Sequence, residues 1–187
     1  NNNIMPQNLE AEQSLLGSIL FDNNILEELP ISFNSSYFFD PLHSSIYEAS
    51  ISLVDNGRLA DPLTLKSYLS DNKYNIDIDI EKYLIDLRDG VLSLSKAKFY
   101  ADEIRNCYIR RSLIIIADDL IHKAKHPTIE TTPDQEISTT EEKLYNLAEK
   151  DQINSGPSDF KTVLASATKQ INDAFNRKGK LSGIDTG

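Results

Sequence analysis

Two histidines four residues apart, His122 and His126, are the first candidates for chemistry in this sequence of 187 residues. On a helix, side chains at positions i and i+4 share one face and can hold one transition-metal ion. The helix of a zinc metalloprotease carries a glutamate directly after its first histidine, whereas Lys123 follows His122, and no third ligand is apparent. We interpret the pair as two residues near a helix C-terminus, and we keep a metal-dependent enzyme as an alternative.

An acidic run over residues 77–81 imitates the opening of a calcium-binding loop, with Asp77, Asp79 and Glu81 at alternate positions. Such a loop requires glycine at its sixth position and a bidentate glutamate at its twelfth. Those two positions hold Lys82 and Arg88. We therefore reject a calcium site.

Cys107 and His43 are the remaining candidates for a nucleophile and a base. Cys107 lies among apolar neighbours in the middle of a predicted helix, which indicates a core thiol. His43 follows Asp40 at a predicted helix start, which favours a capping or packing role. The glycines form neither a phosphate-binding loop nor a G-x-S-x-G nucleophile elbow. The sequence therefore predicts no catalytic, metal or cofactor site.

The charge balance argues against a surface that grips nucleic-acid phosphates broadly. The chain carries 19 basic and 29 acidic residues, a net charge of −10. The acidity is concentrated in residues 1–95, with 5 basic against 15 acidic residues, and in residues 127–157, with 2 against 7, whereas residues 96–126 carry 7 against 4. No basic segment precedes Arg58 and no apolar run is long enough for a membrane span, so we expect a soluble, cytoplasmic protein.

Three helix starts are predicted by capping residues, at Asn8, Asp40 and Asp61. Proline follows the second and the third, as Pro41 and Pro62. Gly57 is predicted to end the second of these helices. Apolar residues recur at helical spacing after each start. We therefore predict an all-α fold in which residues 1–95 form a compact helical head.

A long helical hairpin is predicted after the head. Residues 96–125 contain neither glycine nor proline, which predicts a helix of about 45 Å, and its apolar surface is too wide for one stripe. Thr132-Pro133, with Gln135 placed for a capping box, begins the second helix. We predict an αα-hairpin over residues 96–151 that is a candidate for self-association. The inner face of the second helix is predicted to carry Ile137, Leu144, Leu147 and Ala148.

The break Asn154-Ser155-Gly156-Pro157 is the clearest linker in the chain. Within the segment 152–187 that follows the hairpin, apolar residues at helical spacing predict a separate helix over 159–178. No local hairpin covers this stripe, so it needs a partner in the head, in another domain or in another subunit. The predicted docking residues are Phe160, Val163, Leu164, Ile171 and Phe175.

Several short patterns occur in collinear order along the whole chain. Residues 6–17 read P-x-x-x-E-A-E-x-x-x-L-G, residues 38–47 read F-F-D-P-L-H-S-S-I-Y, and residues 61–65 read D-P-L-T-L. Further matches are Tyr100-Ala101, Ile104-Arg105, Arg110-Arg111, Leu144-Tyr145, Ala148-Glu149 and the segment 182–187. Together they resemble the DnaB family of bacterial replicative DNA helicases, with residues 182–187 similar to the entry to the helicase motor.

The resemblance implies an N-terminal domain and linker from a hexameric ring that hydrolyses nucleoside triphosphates and moves 5′ to 3′ on DNA. In such rings the N-terminal domains pair through helical hairpins into a collar, a trimer of dimers. ATP and Mg²⁺ are then expected in a motor domain that this sequence does not include, and helix 159–178 is expected to dock on the motor of a neighbouring subunit. The implied dimer interface consists of Ile109, Leu113, Ile116, Leu120 and Leu144.

The resemblance also implies partners: the collar contacts primase, loader proteins engage the ring, and single-stranded DNA passes through its channel. If the collar touches that strand, the mildly basic segment 96–126 is the better candidate, through Arg105, Arg110 and Arg111. A salt-bridged face of the hairpin is the alternative role for these arginines. A free-standing primosome adaptor of the same fold, without a motor, is the alternative function.

Overall fold

Seven α-helices and two short 3₁₀ turns form the part of the chain that the computed structural model describes, residues 4–71, 79–91, 93–128 and 131–152. No strand occurs among these residues, and the all-α prediction is confirmed. The helices are α1 (Leu9–Phe21), α2 (Ile25–Glu28), α3 (Pro41–Asp55), α4 (Pro62–Asp71), α5 (Ile80–Asp89), α6 (Ala97–Lys125) and α7 (Pro133–Gln152). The 3₁₀ turns are Ser35–Tyr37 and Leu94–Lys96.

The predicted helix starts are confirmed by their hydrogen bonds. The side chain of Asn8 accepts from the Ala11 N–H at 3.0 Å, and that of Asp40 accepts from the Leu42 N–H at 2.8 Å. Asp61 Oδ1 accepts from the backbone N–H groups of the first turn of α4 in the same way. Gly57 ends α3 with a φ of 70°, a left-handed conformation that favours glycine.

The core of the head is built around α1, which packs against α3, α5 and α6. Leu15, Leu16 and Ile19 are fully buried on this helix. The approach of α1 to α5 is very close at Gly17, where an added Cβ atom would lie 2.2 Å from the carbonyl oxygen of Leu87. Glycine at this position is therefore required by the packing of two helices.

Helix α6 belongs to two parts of the molecule. Its first turns are buried in the head core through Ala97, Ala101 and Ile104, and Cys107 is the last buried residue. The core of the head therefore continues past residue 95, into the segment that was predicted as the hairpin. Beyond Cys107 the helix packs against α7.

The second half of α6 and all of α7 form the expected hairpin. The capping box at the start of α7 is present: the Thr132 N–H donates to Gln135 Oε1 at 2.9 Å, and the Gln135 N–H donates to Thr132 Oγ1 at 3.3 Å. Lys143 of α7 donates to Asp119 of α6 at 2.7 Å. The predicted linker helix 159–178 and its docking residues lie outside the described residues and stay predictions.

No helix in the described segments combines the length and the apolar character that a membrane crossing requires.

Candidate functional site

A buried carboxylate, Glu12, lies at the centre of the head. Only 1% of this residue is exposed, although glutamate is among the residue types that are least often buried. Its Oε1 accepts from the Phe39 N–H at 2.6 Å, and its Oε2 accepts from the Asp40 N–H at 3.3 Å and lies 2.7 Å from His43 Nδ1. Each carboxylate oxygen therefore has a partner, which offsets the cost of burial.

The network continues from His43 to the surface. His43 Nε2 lies 2.6 Å from the Tyr83 hydroxyl, and the same hydroxyl accepts from Gln13 Nε2 at 3.3 Å. The rings of His43 and Tyr83 are stacked. The contacts therefore join α1, α3 and α5 through side chains, and the predicted packing role of His43 is what the geometry shows.

The order hydroxyl, imidazole, carboxylate in Tyr83, His43 and Glu12 is the order found in hydrolase triads. In a triad the imidazole accepts the proton of the nucleophile, and His43 Nε2 has the distance for that role. Burial, however, raises the pKa of the Tyr83 hydroxyl above its usual value, which is the opposite of activation, and the three side chains come from three helices that pack together. We interpret the network as a structural link between three helices.

Arg111 forms a second link, between α6 and the head. Its Nη1 donates to the Pro6 carbonyl at 2.8 Å, its Nη2 donates to the Tyr37 carbonyl at 2.7 Å, and its guanidinium lies 5.5 Å from the centre of the Phe39 ring. Burial lowers the pKa of this group. Of the three arginines considered for DNA contact, Arg111 is therefore engaged within the chain. Arg110 is exposed and Arg105 half-buried, and contact of DNA with them stays a prediction.

One side of the hairpin is an exposed apolar surface. Leu113 and Leu120 of α6 are 44% and 36% exposed, and Ile137 and Leu144 of α7 are 55% and 42% exposed. On each helix these residues lie about 100° around the helix axis from the residues that face the other helix. The rotation has the same sense on both helices. Because the helices are antiparallel, the two stripes lie on the same side of the hairpin. We call these four residues the hairpin face.

The other predicted interface residues border the hairpin face. Ile116 lies in a groove of about 240 Å³ between α6 and α7, which Leu147 also lines. Ile109 is half-buried on α6. The structure thus divides the stripe predicted for the inside of α7, since Leu147 is half-buried against α6 whereas Ile137 and Leu144 are exposed.

The remaining candidates for chemistry are isolated. The rings of His122 and His126 lie 5.0 Å apart at the end of α6. In the described segments no group of three or more His, Cys, Asp or Glu side chains is placed to hold a metal ion. Cys107 is buried, and burial raises the pKa of its thiol. A raised pKa is typical of an unreactive cysteine in a protein core.

The partnership of Glu12 with His43 and the clamp made by Arg111 are not among the roles predicted from the sequence. The sequence contains a signal for the partnership of Glu12 with His43. Glu12 occurs at helical spacing with Leu16 and Ile19, on the stripe that must be buried. A charged residue at such a position requires a buried partner. No comparable signal identified the carbonyl groups that Arg111 binds.

The fold and the motif residues together define a class of protein. The family described as the DnaB-like helicase N terminal domain matches residues 4–106, more than half of the chain. The chain therefore belongs to this family.

Particular relatives agree with this assignment. The replicative DNA helicase DnaB of Rickettsia felis is 29% identical over 184 residues, which cover 98% of this chain and 37% of the relative. The replicative DNA helicase DnaC of Bacillus subtilis is 28% identical over 187 residues, which cover 100% of this chain and 40% of the relative. The chain thus spans well under half the length of these curated relatives.

A solved structure supports the fold. The N-terminal domain of DnaB helicase from Mycobacterium tuberculosis superposes with a TM-score of 0.68 at 23% identity. The match covers 76% of this chain and 99% of that domain. Glu12, Gly17 and His43, which belong to the patterns noted in the sequence, make packing contacts between helices of the head.

Proposed function

We propose that this chain is the N-terminal assembly module of a hexameric replicative DNA helicase and that the hairpin face pairs two subunits. The observation that carries the proposal is the exposure of four large apolar residues on one side of α6 and α7. Contiguous apolar surface of this kind marks a protein interface. In a two-fold dimer the same face of each copy buries the other, which suits the hairpin face.

The wider activity rests on the relatives, whose printed names describe replicative DNA helicases. We propose that the complete protein unwinds DNA with energy from ATP and Mg²⁺ bound in a motor domain. Primase, a helicase loader and single-stranded DNA are the proposed partners, and the ring is a trimer of hairpin dimers. The described part of this chain contributes assembly to that activity and no catalytic step.

The test is the oligomeric state of the 187-residue chain by sedimentation equilibrium. Leu113→Asp combined with Leu144→Asp should weaken dimerisation at least about tenfold, because each carboxylate would have to be desolvated in the interface. Leu113→Asp alone should act in the same direction. Ile116→Asp should also favour the monomer, although Ile116 additionally contacts the groove between the helices.

The matched control is Leu63→Asp on the head, where the side chain is 67% exposed. This variant should sediment like the unmodified chain. If the hairpin variants also dimerise with unchanged affinity, the hairpin face is not the interface and the proposal fails.

A further inference from the structure

The head carries an apolar groove that none of the functions above uses. It runs between α3 and the segment from α2 to Phe33, and it encloses about 360 Å³. Its floor is formed by Leu29, Phe33 and Tyr47, which are 7%, 6% and 3% exposed. The floor is thus part of the core of the head.

The walls of the groove are also apolar. Leu26, Ile51 and Val54 line it and are half-buried against the core. Ile31 stands at its edge and is 92% exposed, the largest exposure of any large apolar side chain in the described segments. An apolar groove with an exposed apolar edge suits the side chains of an amphipathic helix, which insert at i, i+3 or i+4 and i+7.

The charges at the groove have one sign. Glu27 and Asp55 line it and are both exposed, and no lysine or arginine among the described residues lines it. Neither carboxylate takes part in an ion pair with another described residue. Asp55 is also the last residue of α3, whose final turn has no basic residue, so the negative end of the helix dipole adds to its charge.

This charge pattern selects the occupant. A second copy of the head would bring more negative charge, since residues 1–95 carry 15 acidic and 5 basic residues. We propose that the groove binds an amphipathic helix of another protein, with apolar side chains on one face and lysine or arginine placed to meet Glu27 and Asp55. The inference goes beyond the proposed function, because it involves none of the residues of the hairpin face.

The test measures the binding of a fluorescent synthetic peptide of about 18 residues, with leucine on one helical face and lysine on the other, by fluorescence anisotropy. The protein is the complete 187-residue chain. Glu27→Lys with Asp55→Lys should weaken binding at least about tenfold, and Ile31→Ser should weaken it several-fold. All of the substituted side chains are exposed, so the head should keep its melting temperature.

Matched controls separate recognition from general attraction between a basic peptide and an acidic protein. Asp102→Lys with Glu142→Lys changes the net charge equally at exposed sites outside the groove, and Leu63→Ser removes an apolar residue of similar size. Both controls should leave the affinity within about twofold. Equal weakening by the two charge reversals, or equal binding of a leucine–glutamate peptide, would overturn the proposal.

Two further outcomes would assign the groove to another occupant. If Ile31→Ser changes the oligomeric state of the chain in sedimentation experiments, the groove binds a second copy. If a peptide of residues 158–180 from this chain binds more tightly than the synthetic peptide, the groove belongs to the predicted linker helix. Either result would overturn the assignment to another protein.

Discussion

Glu12 is a charged residue on the most deeply buried helix of the head, and its partners explain how the fold tolerates it. Removing a carboxylate from water is costly unless hydrogen bonds replace its hydration. Glu12 has two backbone N–H groups and the His43 ring as replacements. These partners come from the segment of residues 39–43, so the carboxylate fixes the start of α3 against α1.

We expect Glu12→Ala to destabilise the head by about 3 kcal/mol or more, because it leaves buried donors without an acceptor. Glu12→Gln should cost less, since its amide oxygen can still accept from the Phe39 N–H. Urea unfolding followed by circular dichroism measures both changes.

Glu10→Ala is the control for these variants, because Glu10 lies on the exposed side of the same helix. It should change the free energy of unfolding by no more than about 0.5 kcal/mol. A Glu12→Ala chain that unfolds at the same urea concentration as the unmodified chain would contradict the structural role of the network.

At the scale of the helices, the contact between α1 and α5 sets the spacing of the head. Gly17 allows the two backbones to approach until an added Cβ would lie 2.2 Å from the Leu87 carbonyl oxygen and 2.9 Å from a methyl group of Val91. A backbone carbonyl cannot move aside without displacing its helix. The separation of α1 and α5 is therefore determined by a missing side chain.

Gly17→Ala tests this spacing, because two effects of opposite sign compete. Alanine in a helix interior is favoured over glycine by about 1 kcal/mol, so a helix free of contacts would be stabilised. Forcing a methyl group into the contact costs about 1–3 kcal/mol or more. We expect a net lower melting temperature, and a higher one would show that α5 moves away freely.

Helix α6 shows how one element can serve two purposes. Ala97, Ala101 and Ile104 are small or branched apolar residues buried in the head, whereas Leu113 and Leu120 are exposed. A straight helix carries the same faces along its whole length, so the rigid attachment of its first half fixes the direction in which the hairpin face points. Arg111 reinforces that attachment at the boundary between the two halves.

At the scale of the molecule, acidic surface occurs in two places and the hairpin face is apolar. Residues 1–95 and the segment 127–157 are acidic, whereas the hairpin face carries exposed leucine and isoleucine. Surfaces of different character suit different partners: an apolar face suits a second copy of the same chain, and an acidic groove suits a basic partner.

The predicted linker helix belongs to the same scale, because its stripe needs a partner outside the hairpin. In the complete protein, Phe160→Asp with Phe175→Asp should weaken ring assembly and strand separation while the head keeps its melting temperature. Native mass spectrometry measures assembly, and a fluorescent forked duplex measures unwinding. Unwinding at an undiminished rate would refute the docking role of this helix.

The class of the fold and the starts of its helices follow from local patterns in the sequence. Capping residues, first-turn prolines and helical spacing act within a few residues, so Asn8, Asp40-Pro41 and the capping box of Thr132 were readable in order along the chain. Periodicity also identified which apolar residues share a face of each helix.

The neighbour that covers each face, by contrast, became evident only from the packed fold. Glu12 and His43 are 31 residues apart, and Arg111 reaches a carbonyl group 105 residues away. Helical spacing predicted one inner stripe on α7, but in the packed hairpin Leu147 is half-buried whereas Leu144 is exposed. The physical reason is that burial depends on the distance and angle between helices, which arise from the packing of the whole core and not from the period of any one segment.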